Sequence, residues 1–194
     1  AYLYDRGLGV QKDPVLAEEH YKKTYEIAIK QAENSNNWAY EDLGRSYLRG
    51  KGIGKDAKLA FEKKKKAAES KSSYGQAWLG RLFKEGRGTA QNLQSAYQWI
   101  QKSAEQDNSR GLYNLALLYR DGEGVDQNDQ KAIEFLEKAA AHLSSDALYS
   151  LGWMYENGRG VAKDLVKAQH YYAEGTKRHP EDALYSLGRM YELG

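Results

Sequence analysis

The chain has 194 residues and a formal charge of +2, from 29 lysines and arginines against 27 aspartates and glutamates. That near balance argues against a general polyanion binder. There is no cysteine, which excludes disulfides and thiolate chemistry, and no apolar run approaches the ~18 residues of a membrane span. Residues 1–5 read as the end of a helix, stopped by Gly7 and Gly9. Asp13-Pro14 opens the next, because an Asp side chain accepts from free N–H groups and Pro suits the first helical position. Residues 14–33 form a long second helix; the run YKKTYEIAIKQAE lacks Gly and Pro.

Helix pairs are then expected over 37–70, 73–107, 109–143 and 145–178, with a lone helix over 181–193. The reason is a repeat. A first turn glycine falls at Gly50, Gly86, Gly122, Gly158 and Gly194, in steps of 36 residues. A second follows at Gly52, Gly88, Gly124 and Gly160. An aromatic precedes the first glycine at Tyr47, Phe83, Tyr119, Tyr155 and Tyr191. Small residues recur at Ala39, Gly75, Gly111, Ala147 and Ala183, and again at Gly44, Gly80, Ala116, Gly152 and Gly188. An alanine follows the turn at Ala60, Ala96, Ala132 and Ala168.

The period has a chemical meaning. Asp13, Asp56, Asn92, Asn128 and Asp164 form a helix N-cap column. The glycines end the preceding helix, where a left-handed backbone is needed. Small residues allow close helix approach and the aromatic fills the space between helices. Each pair cannot bury its apolar face alone, so stacking must bury it. The expected fold is an all-α, right-handed α-solenoid of antiparallel helix pairs forming a single repeat domain: a partial repeat over 1–36, full repeats over 37–72, 73–108, 109–144 and 145–180, and a lone first helix over 181–194. Gly7 to Gly50 spans 43 residues rather than 36. The extra seven are placed between Ala17 and Ala39, as about two further turns of the long helix. Both termini fall inside repeats, so Leu184, Leu187 and Tyr191 would lack a stacking neighbour, and end-to-end self-association is expected.

The pattern small-x-x-x-Leu-Gly-x-x-Tyr-x-x-Gly-x-Gly-Val, then Asp, then Ala and an aromatic pair, resembles the Sel-one-like repeat, a relative of the tetratricopeptide repeat. It spans nearly the whole chain, and residues 147–172 match best. The resemblance implies an α-solenoid that acts as an adaptor in protein complexes and, if bacterial, a periplasmic or secreted location. Lys63 and Lys64 stand where other repeats carry Trp99/Ile100, Phe135/Leu136 and Tyr171/Tyr172. The lack of cysteine sets the chain apart from the disulfide-linked bacterial subgroup.

No catalytic constellation is legible, and neither a cofactor nor a metal site is expected. His20, His142, His170 and His179 occupy unrelated repeat positions, with no ligand spacing. The segment from Gly50 to Lys55 resembles a phosphate loop but lacks the preceding strand and the following Ser or Thr. Lys63–Lys66 points all round a helix, reads as solvated surface, and has no interleaved aromatics for stacking on bases. The informative positions are variable ones on the first helices. One column reads Glu41, Ala77, Tyr113, Tyr149, Tyr185 and another Arg45, Arg81, Leu117, Trp153, Arg189, with Trp38, Tyr74 and Trp78 beside them. Such positions line a peptide groove in the tetratricopeptide relatives, and Trp, Tyr and Arg dominate binding hot spots. The expected binding residues are Arg45, Trp78, Arg81, Tyr113, Tyr149, Trp153 and Arg189. The competing reading of the aromatics is packing between repeats. The expected ligand is a protein or extended peptide with acidic side chains or a free carboxylate, held by guanidinium forks, across two or more repeats; neither nucleic acid nor a membrane span is expected. The alternative is a cell-envelope protein that binds glycan or a glycan-cleaving enzyme.

Overall fold

The computed structural model describes residues 1–33 and 37–178. Every regular element among them is an α-helix: α1 (Tyr2–Arg6), α2 (Pro14–Glu33), α3 (Asn37–Arg49), α4 (Ala57–Glu69), α5 (Ser73–Glu85), α6 (Leu93–Ala104), α7 (Ser109–Asp121), α8 (Asp129–Ala141), α9 (Ser145–Asn157) and α10 (Leu165–Arg178). The expected helix over 181–193 lies outside the described residues. The chain divides into two compact units, Ala1–Asn92 and Leu93–Gly194. Within each, helices adjacent in sequence are neighbours in space.

One turn design repeats, and its chemistry is local. Gly158 takes φ +65° and its N–H reaches back to the Met154 carbonyl, ending α9. Asp164 then serves two helices at once. Its own N–H donates to the Tyr155 carbonyl at 2.9 Å, and its carboxylate accepts the Lys167 N–H at 2.9 Å, opening α10. Asp13, Asp56 and Asn128 make the same two bonds. The second glycine has a different reason. A Cβ on Gly160 would lie 2.7 Å from Asp129 Cβ and 3.0 Å from the Asp129 carbonyl carbon. The turn therefore leans on the start of the preceding repeat's second helix.

That contact also locates the seven extra residues. Gly88 meets Ala57 and Gly160 meets Asp129, each just past the preceding turn, but Gly52 meets Tyr21, well inside α2. The extension is thus the N-terminal two turns of α2 rather than a stretch beyond Ala17. Tyr21, not Pro14, occupies the place of Ala57. Here α1 lies along the extension, with Tyr4 stacked on His20 at 5.7 Å.

Stacking is aromatic as well as aliphatic. Tyr25–Tyr47, Phe61–Phe83 and Tyr97–Tyr119 meet edge to face at 5.9, 5.1 and 6.3 Å. Each pair joins a second helix to the first helix of the next repeat. In the first unit Tyr47, Leu48, Ala60 and Leu82 make the core beneath them. In the second, Leu115, Leu118, Leu136, Leu151 and Met154 do so around Ala116, Ala132 and Ala147. The second small column faces the second helix of its own repeat: a Cβ on Gly152 would strike the Tyr172 ring at 2.6 Å, and one on Gly44 the Lys64 stem at 2.9 Å.

Candidate functional site

In the first unit a cavity of about 190 Å³ opens between α3, α4 and α5. Arg45 and Arg49 come from α3, Lys64 from α4, Trp78 and Arg81 from α5, and Arg87 from the turn after it. No carboxylate lines it among the described residues. Arg45, Trp78 and Arg81, chosen from the sequence, therefore meet at one place that spans two repeats. The Arg81 guanidinium lies over the Trp78 ring, 5.3 Å from its centroid, a cation–π geometry that keeps the planar fork in place.

Lys64 forms the floor. Its side chain is 1% exposed, and its ammonium donates to the Glu41 carboxylate at 2.6 Å and to the Glu41 carbonyl at 3.0 Å. Glu41 is buried too and accepts a bond from the Ser72 hydroxyl at 2.9 Å. Ser72 in turn caps α5 by accepting the Gly75 N–H. Burial pushes the Lys64 ammonium below its ordinary pKa; the Glu41 charge and hydrogen bond oppose this, and Arg45 adds to the depression. The lysine run thus departs from the expected solvated surface. Lys65 and Lys66 are exposed, while Lys64 replaces the core residue that Leu136 and Tyr172 supply elsewhere. It is tolerated because the same repeat carries Glu41 where others have Ala77, Tyr113 or Tyr149.

The cations of the cavity differ in what else they hold. Arg45 has Asp42 at 3.4 Å and Arg81 has Glu85 at 2.5 Å, both i to i+3 or i+4 pairs at the surface. Arg87 donates through Nη2 to the Leu48 carbonyl at 3.2 Å, at the end of α3. Arg49 is exposed and has no hydrogen bond or ion pair among the described residues.

The second unit has its own cluster. Trp153, 37% exposed, lies under two guanidinium groups, Arg120 at 5.9 Å and Arg159 at 5.7 Å. Arg159 binds the Asp129 carboxylate through Nε at 3.1 Å and donates to the Arg120 carbonyl. Its hydrogen bond to Asp121 holds Arg120 charged, with a smaller electrostatic contribution from half-buried Tyr113. Tyr149 turns towards α10, with its ring 6.2 Å from Tyr172 and its hydroxyl buried without a hydrogen-bond partner among the described residues. Arg189 lies outside the described residues. A second cavity, about 300 Å³, lies among α6, α7 and α8; it is lined by Tyr97, Tyr119, Phe135, Glu105 and Asp107, with none of the expected binding residues.

Sequence reasoning missed Arg49, Arg87, Arg120, Arg159 and the Lys64–Glu41 pair. The turn residue between the two glycines reads Lys51, Arg87, Glu123, Arg159, and three of the four reach back to the preceding repeat. Lys51 binds Asp5, while Arg87 and Arg159 bind carbonyls at the ends of α3 and α7. Long cations at three of these four positions between two glycines are the signal that could have found Arg87 and Arg159. Among the described residues no group of three or more His, Cys, Asp or Glu is placed to hold a metal ion, and no helix is long and apolar enough to cross a membrane.

No curated protein matches the chain. A Sel1 repeat protein from Oxalobacter formigenes has a similar structure, with a TM-score of 0.80 and 32% identity over all of this chain and 74% of that one. A protective antigen of uropathogenic Escherichia coli with an SLR fold superposes with a TM-score of 0.70 at 27% identity, over all of this chain and 40% of that one. Cysteine-rich protein B of Helicobacter pylori gives a TM-score of 0.52 at 25% identity, over 67% of this chain and 93% of that one. The Sel1 repeat model itself matches residues 1–26, 39–71, 73–108, 109–142, 145–177 and 181–194. With its turn glycines, N-cap column and helix pairs in register with those matches, the chain belongs to the Sel1 repeat family.

Proposed function

We propose that this chain is a non-catalytic scaffold that binds an extended, acidic segment of a partner protein through the first-helix faces of its repeats. The observation that carries the reading is the convergence of Arg45, Trp78 and Arg81 on one open cationic cavity from two successive repeats. A structural solenoid contact would bury these side chains, yet Arg45 and Arg81 are 43% and 44% exposed. Guanidinium groups held over an indole ring supply both halves of a hot spot, a flat apolar surface and a fork for carboxylates. In the second unit Tyr113 and Trp153, with Arg120 and Arg159, offer the same composition. Membership of a repeat family whose members serve in protein interaction supports the class of role.

The test is peptide panning followed by calorimetry. Enriched peptides should carry two or more acidic residues. R81A and W153A should each weaken binding by about 1–3 kcal/mol, the usual cost of truncating a hot spot, at unchanged melting temperature. Peptides that ignore both variants but are lost with K65E would move the binding surface to the second helices. Cell-wall fragments that raise the melting temperature where no peptide does would favour the glycan reading.

A further inference from the structure

We infer that the cavity between α3, α4 and α5 is a receptor for a phosphoryl monoester carried on a side chain of the partner segment. The inference rests on the proposed function and names the group that this site selects.

Charge is the first argument. Among the described residues, five cationic side chains line the cavity and no carboxylate does. Three have an acidic partner: Lys64 with Glu41, Arg45 with Asp42, Arg81 with Glu85. Arg49 and Arg87 have none among the described residues. The carbonyl end of α3 takes up about half a unit charge. Between one and two positive charges therefore remain in one small space. A carboxylate supplies a single negative charge, whereas a phosphoryl monoester supplies about −1.5 to −2 at neutral pH.

Donors and size agree with this. Arg81 binds Glu85 through Nε, which leaves both terminal nitrogens. Arg87 binds Leu48 through one Nη only. Every N–H of the Arg49 fork is unused among the described residues. These donors come from three elements, α3, α5 and the following turn, around one cavity. A tetrahedral three-oxygen acceptor presents lone pairs in more directions than the two coplanar oxygens of a carboxylate, and so uses them more fully. Nor would a drug-sized ligand fit, since such pockets run to about 300–1,000 Å³, against about 190 Å³ here. That volume suits one charged group and its stem. Lys64 with its Glu41 partner fixes the floor, and Trp78 offers an apolar wall for the stem.

The experiment compares four probes on the full chain by calorimetry: inorganic phosphate, and one blocked alanine-rich hexapeptide with a central phosphoserine, serine or glutamate. Phosphoserine should bind about tenfold tighter or more than either other peptide, the size of one charge-assisted hydrogen bond. R49E should erase that advantage while leaving the melting temperature unchanged, since the Arg49 side chain is exposed and makes no hydrogen bond or ion pair among the described residues. Lowering the pH from 7.5 to 5.5 should weaken the phosphoserine peptide and neither of the other two peptides, because the second phosphate proton is taken up near pH 6. The inference is overturned if phosphoserine and glutamate bind alike, if the phosphoserine advantage survives R49E, if inorganic phosphate binds as tightly as the phosphopeptide, or if no probe binds. W153A separates the two readings. The proposed function fails if panned peptides ignore both W153A and R81A, and that result leaves the R49E comparison to be judged by itself.

Discussion

Replacing Lys64 alone should damage this protein far more than replacing Lys64 and Glu41 together. The side chains are 1% and 3% exposed, and the ammonium reaches the carboxylate at 2.6 Å. Lys64→Met keeps most of the volume but leaves the carboxylate buried with, among the described residues, the Ser72 hydroxyl as its remaining side-chain donor. Breaking such a pair costs about 3–5 kcal/mol, and the Ser72 bond argues for the lower half of that range. Glu41→Met/Lys64→Met removes both charges at similar volume, so it should lie within about 1 kcal/mol of the parent or exceed it by up to about 4 kcal/mol. The assay is urea denaturation of the parent, both single variants and the double, read as a double-mutant cycle. A Lys64→Met cost below about 1 kcal/mol, or a double variant less stable than Lys64→Met, would refute the buried-pair reading. There is also a pH signature. Burial lowers the native pKa of Lys64, so between that value and the unfolded value of about 10.4 the unfolded chain holds a proton that the native chain has released. Stability from this residue therefore rises with pH in that window, and the margin of the parent over Lys64→Met should widen towards alkaline pH.

Gly158→Ala should cost about 1 kcal/mol or more through its φ of +65°. Gly160→Ala should cost about 1–3 kcal/mol beyond that, because its Cβ would also overlap Asp129; equal melting temperatures for the two variants would contradict the distinct roles of the two glycines. Leu143 is 72% exposed at φ +66°. Leu143→Gly relieves a left-handed strain of about 1–2 kcal/mol against an entropy loss of about 0.4–1 kcal/mol, so its denaturation midpoint should rise. Burial, together with its hydrogen bond to Tyr25, pushes the Tyr47 hydroxyl up to about 12. Its contribution is complete below pH 10 and lost between about 10 and 12 as the unfolded chain ionises first. Tyr25→Phe/Tyr47→Phe should flatten that alkaline limb in a pH series of unfolding curves.

What was legible in the sequence is what local chemistry dictates. A glycine at positive φ and an Asp or Asn that caps the next helix are readable from neighbours alone, and α3 to α10 begin at or near the expected residues. Contacts between repeats are different, because they join residues far apart in the chain. The seven extra residues could be counted but not placed: only the meeting of Gly52 with Tyr21 shows that they extend the start of α2. Lys64 is the sharper case. Within a run of four lysines it resembles its solvated neighbours, and its burial follows from Glu41, which lies 23 residues earlier. Both residues were visible as departures from their columns, in the same repeat. Two departures of opposite charge in one repeat are a contact waiting to be paired, since neither could be buried without the other. The same logic applies to the turn cations. Lys51, Arg87 and Arg159 sit in a segment whose glycines have an obvious structural purpose, which hides that the residue between them reaches the preceding repeat. The repeat leaves identity open on first-helix faces and between the two turn glycines, and the cavity lined by Arg45, Arg81 and Arg87 is where those two kinds of position meet.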